Sequence, residues 1–157
     1  MTDPTPREPW LPPQFTHPAR VELLDDVHLR PIRGEDVAID YPAVMGSRER
    51  LWAKYGEAWG WPAATMTEEQ DREDLARHER EIRAHETFNY AVLNADESRL
   101  LGCVYLDPPG PGDDGDVVMS WWVIDELTSG PVEHALDTFV PRWVIDTWPF
   151  ERPVLGP

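Results

Sequence analysis

The stretch from Asp116 to Trp148 constrains the fold more than any other, because its hydrophobic period changes once and sharply. Residues 116–124 are nearly all apolar, and many are β-branched or aromatic, which predicts a strand covered on both faces. After Pro131 the apolar residues recur at helical spacing. The turn between them contains Gly130. Such a strand–turn–helix unit places free N–H groups of a helix N-terminus beside the strand end, a geometry that favours an anionic group such as phosphate.

The chain is strongly acidic. It has 14 Lys and Arg against 30 Asp and Glu, a formal net charge of −16 at pH 7. Phosphate backbones and anionic membrane surfaces attract the opposite sign, so we expect neither nucleic acid nor membrane as a partner. The charge suits a cationic partner such as a small amine substrate, although it can also serve solubility alone.

Compartment follows from cysteine use and from the absence of sorting patterns. Cys103 is the single cysteine and lies in an apolar stretch, so no internal disulfide can form and a reducing compartment fits. No apolar run approaches the roughly 20 residues of a membrane-spanning helix, and the N-terminus lacks a secretory pattern. These features predict a cytoplasmic protein.

The element order predicts an α/β fold of the α+β kind, with a mixed, mostly antiparallel central sheet and flanking helices. Residues 1–19 form a proline-rich N-terminal arm, which Trp10, Leu11 and Phe15 would attach to a single domain over residues 20–157. Within the domain we predict strands at 21–24, 27–32, 87–93, 99–106, 116–124 and 151–155, a helical region after Gly34, a helix from the capping box at Thr67 to about Glu86, and the helix after Gly130.

The segment from Trp52 to Pro62 is unusual, because four aromatic residues lie among glycines. It is too dense in aromatics for a solvated loop, and its pattern is too irregular for one helix. It is either the wall of an apolar substrate site or a lid over the core. On the first interpretation the substrate-binding residues are Trp52, Tyr55, Trp59, Trp61 and, from a predicted strand, Tyr105.

Two classes of site are excluded by their motifs. His78 and His85 share one helix face, but no third histidine and no His-Glu-x-x-His accompany them, so no metal site is predicted. Serine-hydrolase chemistry lacks its Gly-x-Ser-x-Gly turn.

From about Val27 to Leu155 the chain resembles the GNAT N-acetyltransferase superfamily. The resemblance lies in the element order and in three segments: Leu-Arg-Pro-Ile-Arg-Gly-Glu-Asp at 29–36, Leu-Gly-Cys-Val-Tyr-Leu at 101–106, and the strand and turn at 121–130. It implies an acyl-CoA N-acyltransferase fold that binds acetyl-CoA and moves the acetyl group to an amine. It also implies that the strand before the turn pairs with the pantetheine arm, while the next strand splays away.

The resemblance assigns site residues one by one. It implies cofactor contacts at the end of the strand and in the turn, namely Val123, Ile124, Leu127, Thr128, Ser129, Gly130 and Val132. Asp116, at the entry to the central strand, stands where some members carry a catalytic carboxylate. The alternative is a solvated aspartate at a strand end.

The departures from the family pattern matter as much as the matches. The family's turn reads Gln or Arg, two residues, Gly, one residue, then Gly or Ala, and only Gly130 agrees here. Pro131 has no N–H to offer a phosphate, and Glu126 and Glu133 add negative charge beside it. The chain is also C-terminally truncated relative to the family, which continues with a further helix, the usual source of a tyrosine acid, and two strands.

The truncation leaves a sheet edge to be covered by Pro153, by the N-terminal arm or by a second subunit, so a homodimer is one expectation. Two functions follow from the matches and the departures. The first is a GNAT-like N-acetyltransferase acting on a small amine. The second is a catalytically inactive domain of the same shape that binds small molecules or proteins.

Overall fold

The computed structural model describes residues 10–157, and over that range the strands form one six-stranded sheet in chain order. They are β1 (Val21–Leu24), β2 (Val27–Pro31), β3 (Phe88–Asn94), β4 (Leu100–Asp107), β5 (Val117–Val123) and β6 (Pro153–Leu155). Neighbours are antiparallel except β5 and β6, which are parallel. The predicted mixed, mostly antiparallel sheet is confirmed.

The helices in the described residues are α1 (Val37–Gly46), α2 (Arg48–Trp59), α3 (Glu68–Arg83) and α4 (Pro131–Thr147). The capping box predicted at the start of α3 is present, since Thr67 Oγ1 accepts from Gln70 N–H at 3.1 Å and Gln70 Oε1 accepts from Thr67 N–H at 2.9 Å. Helix α4 starts at Pro131, whose fixed φ suits a first helical position and whose missing N–H costs no bond there.

The prediction that the aromatic segment from Trp52 is too irregular for a helix is wrong. Residues 52–59 continue α2, because the aromatics at 52, 55 and 59 follow helical spacing. Gly56 hides this pattern and leaves room for the Trp52 ring, which lies 2.7 Å from where a Cβ would be. The helix ends at Gly60, in the left-handed conformation (φ 61°), whose N–H donates to Gly56 O at 2.9 Å.

Helices cover both faces of the sheet. Side chains alternate along β5, so consecutive residues identify the two layers. Trp121 Nε1 donates to Asp137 Oδ1 of α4 at 2.9 Å, whereas Ser120 Oγ shares a 2.7 Å hydrogen bond with Tyr55 OH of α2. Helix α4 therefore packs on one face and α1, α2 and α3 on the other. Most β5 side chains are buried, as predicted for a strand covered on both sides.

The residues before β1 pack against the sheet. Leu11 is buried, the Trp10 ring stacks on Phe150 with centroids 5.2 Å apart, and Trp10 Nε1 donates to Asp116 O at 2.9 Å. These contacts attach Trp10 and Leu11 to the sheet. The first part of the predicted proline-rich arm, residues 1–9, lies outside the described residues, and the division of the chain at residue 20 stays a prediction.

Candidate active site

Within residues 10–157, no strand pairs with the outer edge of β5 beyond Met119. The pairing with β6 ends there, and Met119 O accepts from Gly156 N–H at 2.8 Å. Further along, Ile124 N–H donates to β4 at 2.9 Å. Because backbone groups of successive strand residues point to opposite sides, the N–H and C=O of Trp121 and Val123 point away from β4, toward this edge. An extended molecule could hydrogen-bond to the strand here.

Helix α2 places two basic side chains beside this edge. Arg50 donates from Nη2 to Val123 O and from Nε to Asp125 Oδ1, the second bond at 2.7 Å. Lys54 lies one helical turn later. Its pKa is lowered by burial first and by the Arg50 charge second, while Glu133 of α4 acts in the opposite direction. The end of β5 therefore lies beside two basic side chains, Arg50 and Lys54, and two acidic ones, Asp125 and Glu133.

An acidic cavity of about 710 Å³ lies on the face covered by α1, α2 and α3. It reaches Val118, Gly156 and Pro157 at the junction of β5 and β6, so it adjoins the start of the open edge. Carboxyl groups form much of its lining: Asp40, Asp71, Asp74, Glu81, Asp107 and Asp113.

Three of the predicted substrate-binding residues, Trp59, Trp61 and Tyr105, line this cavity. Tyr55 lies behind them, with its ring stacked on Trp59 at a centroid distance of 4.4 Å and its OH bonded to Ser120. Burial raises the pKa of the Tyr55 and Tyr105 hydroxyls, so both stay protonated at neutral pH. The aromatic segment thus supplies a cavity wall and also covers part of the core.

No protein-family profile matches the chain, and a search of curated proteins returns no match. Solved structures do match. The microcin self-immunity acetyltransferase MccE, in complex with acetyl-CoA and AMP, superposes with a TM-score of 0.70 at 9% identity, over 88% of this chain and 73% of that one. RimL, a ribosomal α-N-protein acetyltransferase in complex with coenzyme A, gives 0.63 at 11% identity, over 80% and 67%. A ribosomal-protein alanine acetyltransferase from Vibrio fischeri gives 0.60 at 15% identity, over 80% and 67%.

The chain has the GNAT acetyltransferase fold. This confirms the fold that the sequence resemblance implies. The identities are low, so the matches establish the fold, and the chemistry of this chain has to be argued from its own residues.

The turn between β5 and α4 is where the sequence resemblance implies the pyrophosphate of the cofactor, and most of its N–H groups are already bonded. Leu127 N–H donates to Ile124 O at 2.9 Å, Thr128 N–H to Asp125 O at 3.2 Å, and Gly130 N–H to Leu127 O at 3.1 Å. The predicted cofactor contacts of the turn are thus close together but engaged with one another.

A carboxylate of the chain itself takes the next donor. Ser129 adopts the left-handed conformation (φ 61°), and its N–H donates to Glu133 Oε1 at 2.9 Å. Pro131 follows without an N–H, and Val132 is largely buried at the first turn of α4. The turn does not suit a pyrophosphate while Glu133 is bound there, whereas the outward backbone N–H and C=O of Trp121 suit a pantetheine arm; the outward C=O of Val123 is taken by Arg50.

Asp107 is an acid group in the cavity that sequence reasoning missed. Asp107 is the last residue of β4 and pairs with Val118 of β5. Val118 is two residues, about 7 Å along the strand, from Ser120, where the pairing of β5 with β6 has ended. Burial, and after it the Glu81 charge, raises the pKa of Asp107 to about 6. Such a carboxyl is mostly ionised at pH 7 and still accepts a proton readily.

Asp40 of α1 and Asp71 of α3 were also missed, and they lie side by side at the inner end of the cavity. Burial and the neighbouring Asp71 raise the pKa of Asp40 well above its ordinary value, and burial raises the pKa of Asp71. Because each carboxyl acts on the pKa of the other, the pair titrates together and binds a proton more readily than an ordinary aspartate. A signal for Asp71 was present, since it precedes Leu75 by one helical turn on the apolar stripe of α3.

Two predicted site residues lie away from the cavity lining. Asp116 holds the connection into β6: its Oδ2 accepts from Glu151 N–H at 2.8 Å and its Oδ1 from Arg152 N–H at 3.0 Å. Trp52 is 41% exposed on the outside of α2, with the Arg48 guanidinium 5.4 Å above its ring. A catalytic role for Asp116 and a substrate contact for Trp52 stay predictions, with no support from this placement.

Residues 10–157 contain neither a cluster of metal ligands nor a membrane-spanning helix. Within that range no three His, Cys, Asp or Glu side chains stand close enough together to hold a metal ion. Over the same residues, none of the helices has the length and apolar character needed to cross a membrane.

Proposed function

We propose that this chain is an N-acyltransferase of the GNAT type, which transfers an acetyl group from acetyl-CoA to a small amine. The observation that carries the proposal is that the acidic cavity reaches Val118 and Gly156, at the β5–β6 junction where the open edge of β5 begins. A thioester arm along the edge and an amine in the cavity would meet at that junction. The net charge of −16 supports a cationic acceptor.

The chemistry needs a base, because an ammonium must lose a proton before its nitrogen can attack. We assign that step to Asp107, whose pKa of about 6 suits proton transfer near neutral pH. We assign the outward N–H of Trp121 to the carbonyl oxygen, where negative charge develops during attack. Bound acetyl-CoA supplies the acetyl thioester, and the aromatic wall of Trp59, Trp61 and Tyr105 excludes water from the amine.

Cofactor binding in this proposal relies on the strand and on α2. Val123 and Ile124 contact the arm, and Arg50 and Lys54 supply positive charge for the phosphates in place of the turn's N–H groups. The predicted contacts in the turn, Leu127, Thr128, Ser129, Gly130 and Val132, become available only when Glu133 leaves Ser129.

The acceptor is proposed to be a small molecule rather than a protein terminus. RimL and the Vibrio fischeri enzyme are named as acting on ribosomal proteins, so the fold by itself does not decide between the two. The wall of aromatic rings and the inward position of the acid groups favour a compact ligand.

We also propose that the chain forms a homodimer and works in a reducing compartment. A homodimer would form through the edge of β6, where Leu155 is 70% exposed, and sedimentation analysis tests it. A reducing compartment such as the cytoplasm suits Cys103, which is buried and unpaired; fractionation of cells that produce the protein tests it.

The test of the proposed function is a titration with acetyl-CoA followed by thermal unfolding, together with thiol release in the presence of an amine panel. A ligand at 100 times its Kd adds about 2.7 kcal/mol to the free energy of unfolding. We expect a clear rise in Tm and amine-dependent release of free coenzyme A. Absence of both at millimolar acetyl-CoA would overturn the proposal.

One observation favours a second function, an inactive GNAT-shaped module that binds a cationic small molecule. Glu133 occupies Ser129 N–H, and Pro131 offers no donor, so the phosphate part of the site is occupied by the chain itself. On this alternative the amine still raises Tm, while acetyl-CoA has no effect and no thiol is released. The same titration therefore separates the two functions.

A further inference from the structure

The inner end of the acidic cavity has buried polar atoms that no group of residues 10–157 pairs with. Asp71 Oδ2, Asn89 Oδ1 and His78 Nδ1 are shielded and have no hydrogen-bond partner. Asp71 is 2% and Asn89 3% exposed, and both line the cavity. Buried oxygen atoms are nearly always hydrogen-bonded. Because carboxyl and amide oxygens accept, the missing partner must be a donor.

The charges at this end specify the donor further. Within the described range neither Asp40 nor Asp71 has a basic partner, and the arginine in the lining, Arg77, is already bonded to Glu81 at 3.0 Å and close to Asp74 at 3.6 Å. Buried carboxyl groups without a counter-charge favour a cation over a neutral hydroxyl compound.

An ammonium group fits better than a metal ion. The described residues bring no three His, Cys, Asp or Glu side chains together as metal ligands, and one amide oxygen with two buried carboxyls of raised pKa is a poor ligand set for a divalent ion. An ammonium presents three N–H groups, which match the oxygens of Asp71, its partner Asp40 and Asn89.

A second acid centre lies in the same cavity. Asn89 pairs with Tyr105 across β3 and β4, and Asp107 follows Tyr105 by two residues on the same face. The Cα atoms of Asn89 and Asp107 are therefore roughly 8 Å apart, with aromatic side chains near the path between them. This arrangement suits a short hydrocarbon chain with a positive charge at each end.

We infer that the acceptor is a dication, with its non-reacting ammonium bound by Asp40, Asp71 and Asn89 and its reacting amine beside Asp107. The second half of this statement rests on the proposed function; the first half does not. The inner subsite makes the chain selective for diamines over monoamines of the same length.

Binding should also release a proton. The raised pKa values of Asp40 and Asp71 favour a bound proton in the free protein, and an ammonium beside both carboxyls favours the doubly ionised form. The titratable and charged groups around the pair are Asp36 before α1, Glu68, Asp74, Arg77 and His78 on α3, and Cys103 on β4. The net release is measured by calorimetry in buffers of different ionisation enthalpy.

The test is calorimetric titration of the full chain, without cofactor, with putrescine, cadaverine and the monoamine butylamine. We expect a diamine to bind at least about tenfold more tightly than butylamine and to release protons on binding. Asp71→Asn should lower diamine affinity by about tenfold to a hundredfold, the range expected for a lost charge-assisted bond. Asp26→Asn, which removes one exposed charge from the β1–β2 turn, is the matched control.

The outcomes separate this inference from the proposed function. Equal affinity for diamine and monoamine, or unchanged diamine affinity in Asp71→Asn, would overturn the inner subsite even if acetyl transfer occurs. Diamine selectivity without acetyl transfer would support the subsite and refute the transferase. If Asp71→Asn fails to fold, Asn89→Ala removes a different oxygen of the same subsite, and a loss of diamine affinity is expected.

Discussion

The two halves of the site, the acidic cavity and the turn before α4, differ in whether their polar groups are satisfied. In the cavity, buried oxygens of Asp71 and Asn89 have no partner among the described residues. In the turn, the N–H groups of Leu127, Thr128 and Gly130 are bonded within the turn and Ser129 N–H is bonded to Glu133. The cavity therefore has buried acceptors without a partner in the described residues, whereas the donors of the turn are bonded to acceptors of the chain itself.

This difference shows that the GNAT fold does not by itself determine whether the polar groups of the cavity and of the turn are free to bind a ligand. The backbone of β5 and α4 sets the shape of the turn, but three side-chain choices, Pro131, Glu133 and Arg50, decide how it is used. If the transferase proposal holds, the predictions for Asp107 should show the largest effects and those for Glu133 smaller ones of opposite sign. The effect expected at Asp116 lies between these two.

The largest effect is expected at Asp107. Asp107→Asn removes the proposed base, so kcat for acetyl transfer should fall by about a hundredfold to ten-thousandfold while KM for the amine changes little. The measurement is thiol release at saturating acetyl-CoA. Asp113→Asn is the control, because Asp113 lines the cavity but is exposed and bonds the Gly110 N–H. A similar loss in both variants would mean that charge in the cavity, and not a base, had been removed.

The pH dependence of stability should reveal the same residue. Asp107 has a pKa of about 6 in the folded chain against an ordinary 3.8, so the folded state binds more protons between these values. Its contribution therefore destabilises the fold progressively as pH rises from about 4 to 6, by about 3 kcal/mol in total, and is constant above that. The measurement is urea unfolding of the chain and of Asp107→Asn across this range. Parallel curves for the two would refute the raised pKa.

Much of the fold could be predicted from the sequence, because local patterns carried it. The single change of period after Pro131 predicted β5 and α4, and the capping box at Thr67 predicted the start of α3. The helical spacing of Trp52, Tyr55 and Trp59 was also present, but the glycine between them hid it. The helix was missed there because the glycine was taken as a sign of irregular structure in spite of the helical spacing of the aromatic residues.

The acid groups of the cavity could not be assigned in the same way. Asp107 has a pKa of about 6 only because it is buried in the cavity beside Glu81 of α3, and no residue near it along the chain indicates that burial. Asp116 had the better sequence position, yet its oxygens bond to the N–H groups of Glu151 and Arg152. Long-range burial, and not residue type, separates these two aspartates.

Asp116 gives the next prediction, which contrasts a structural carboxylate with Asp107. Asp116→Ala removes two hydrogen bonds to backbone N–H groups, so the free energy of unfolding should fall by about 2 kcal/mol. Diamine affinity at a temperature where the variant is folded should not change. Thermal unfolding and calorimetry measure the two quantities. A large loss of kcat in the folded variant would restore Asp116 as a catalytic residue.

The smallest effect expected is at Glu133, and it tests the turn most directly. Glu133→Ala frees Ser129 N–H and removes a negative charge at the N-terminus of α4, so affinity for acetyl-CoA should rise about tenfold, equivalent to about 1.4 kcal/mol. Calorimetric titration with acetyl-CoA measures it. Glu126→Ala is the matched control, because it removes the same charge from a side chain that pairs with Arg99 and not with the turn. A gain confined to Glu133→Ala identifies the internal bond as the barrier to phosphate binding. Equal gains would leave charge alone as the cause, and no gain in either would mean that the phosphates never reach the turn and that Arg50 and Lys54 hold them elsewhere.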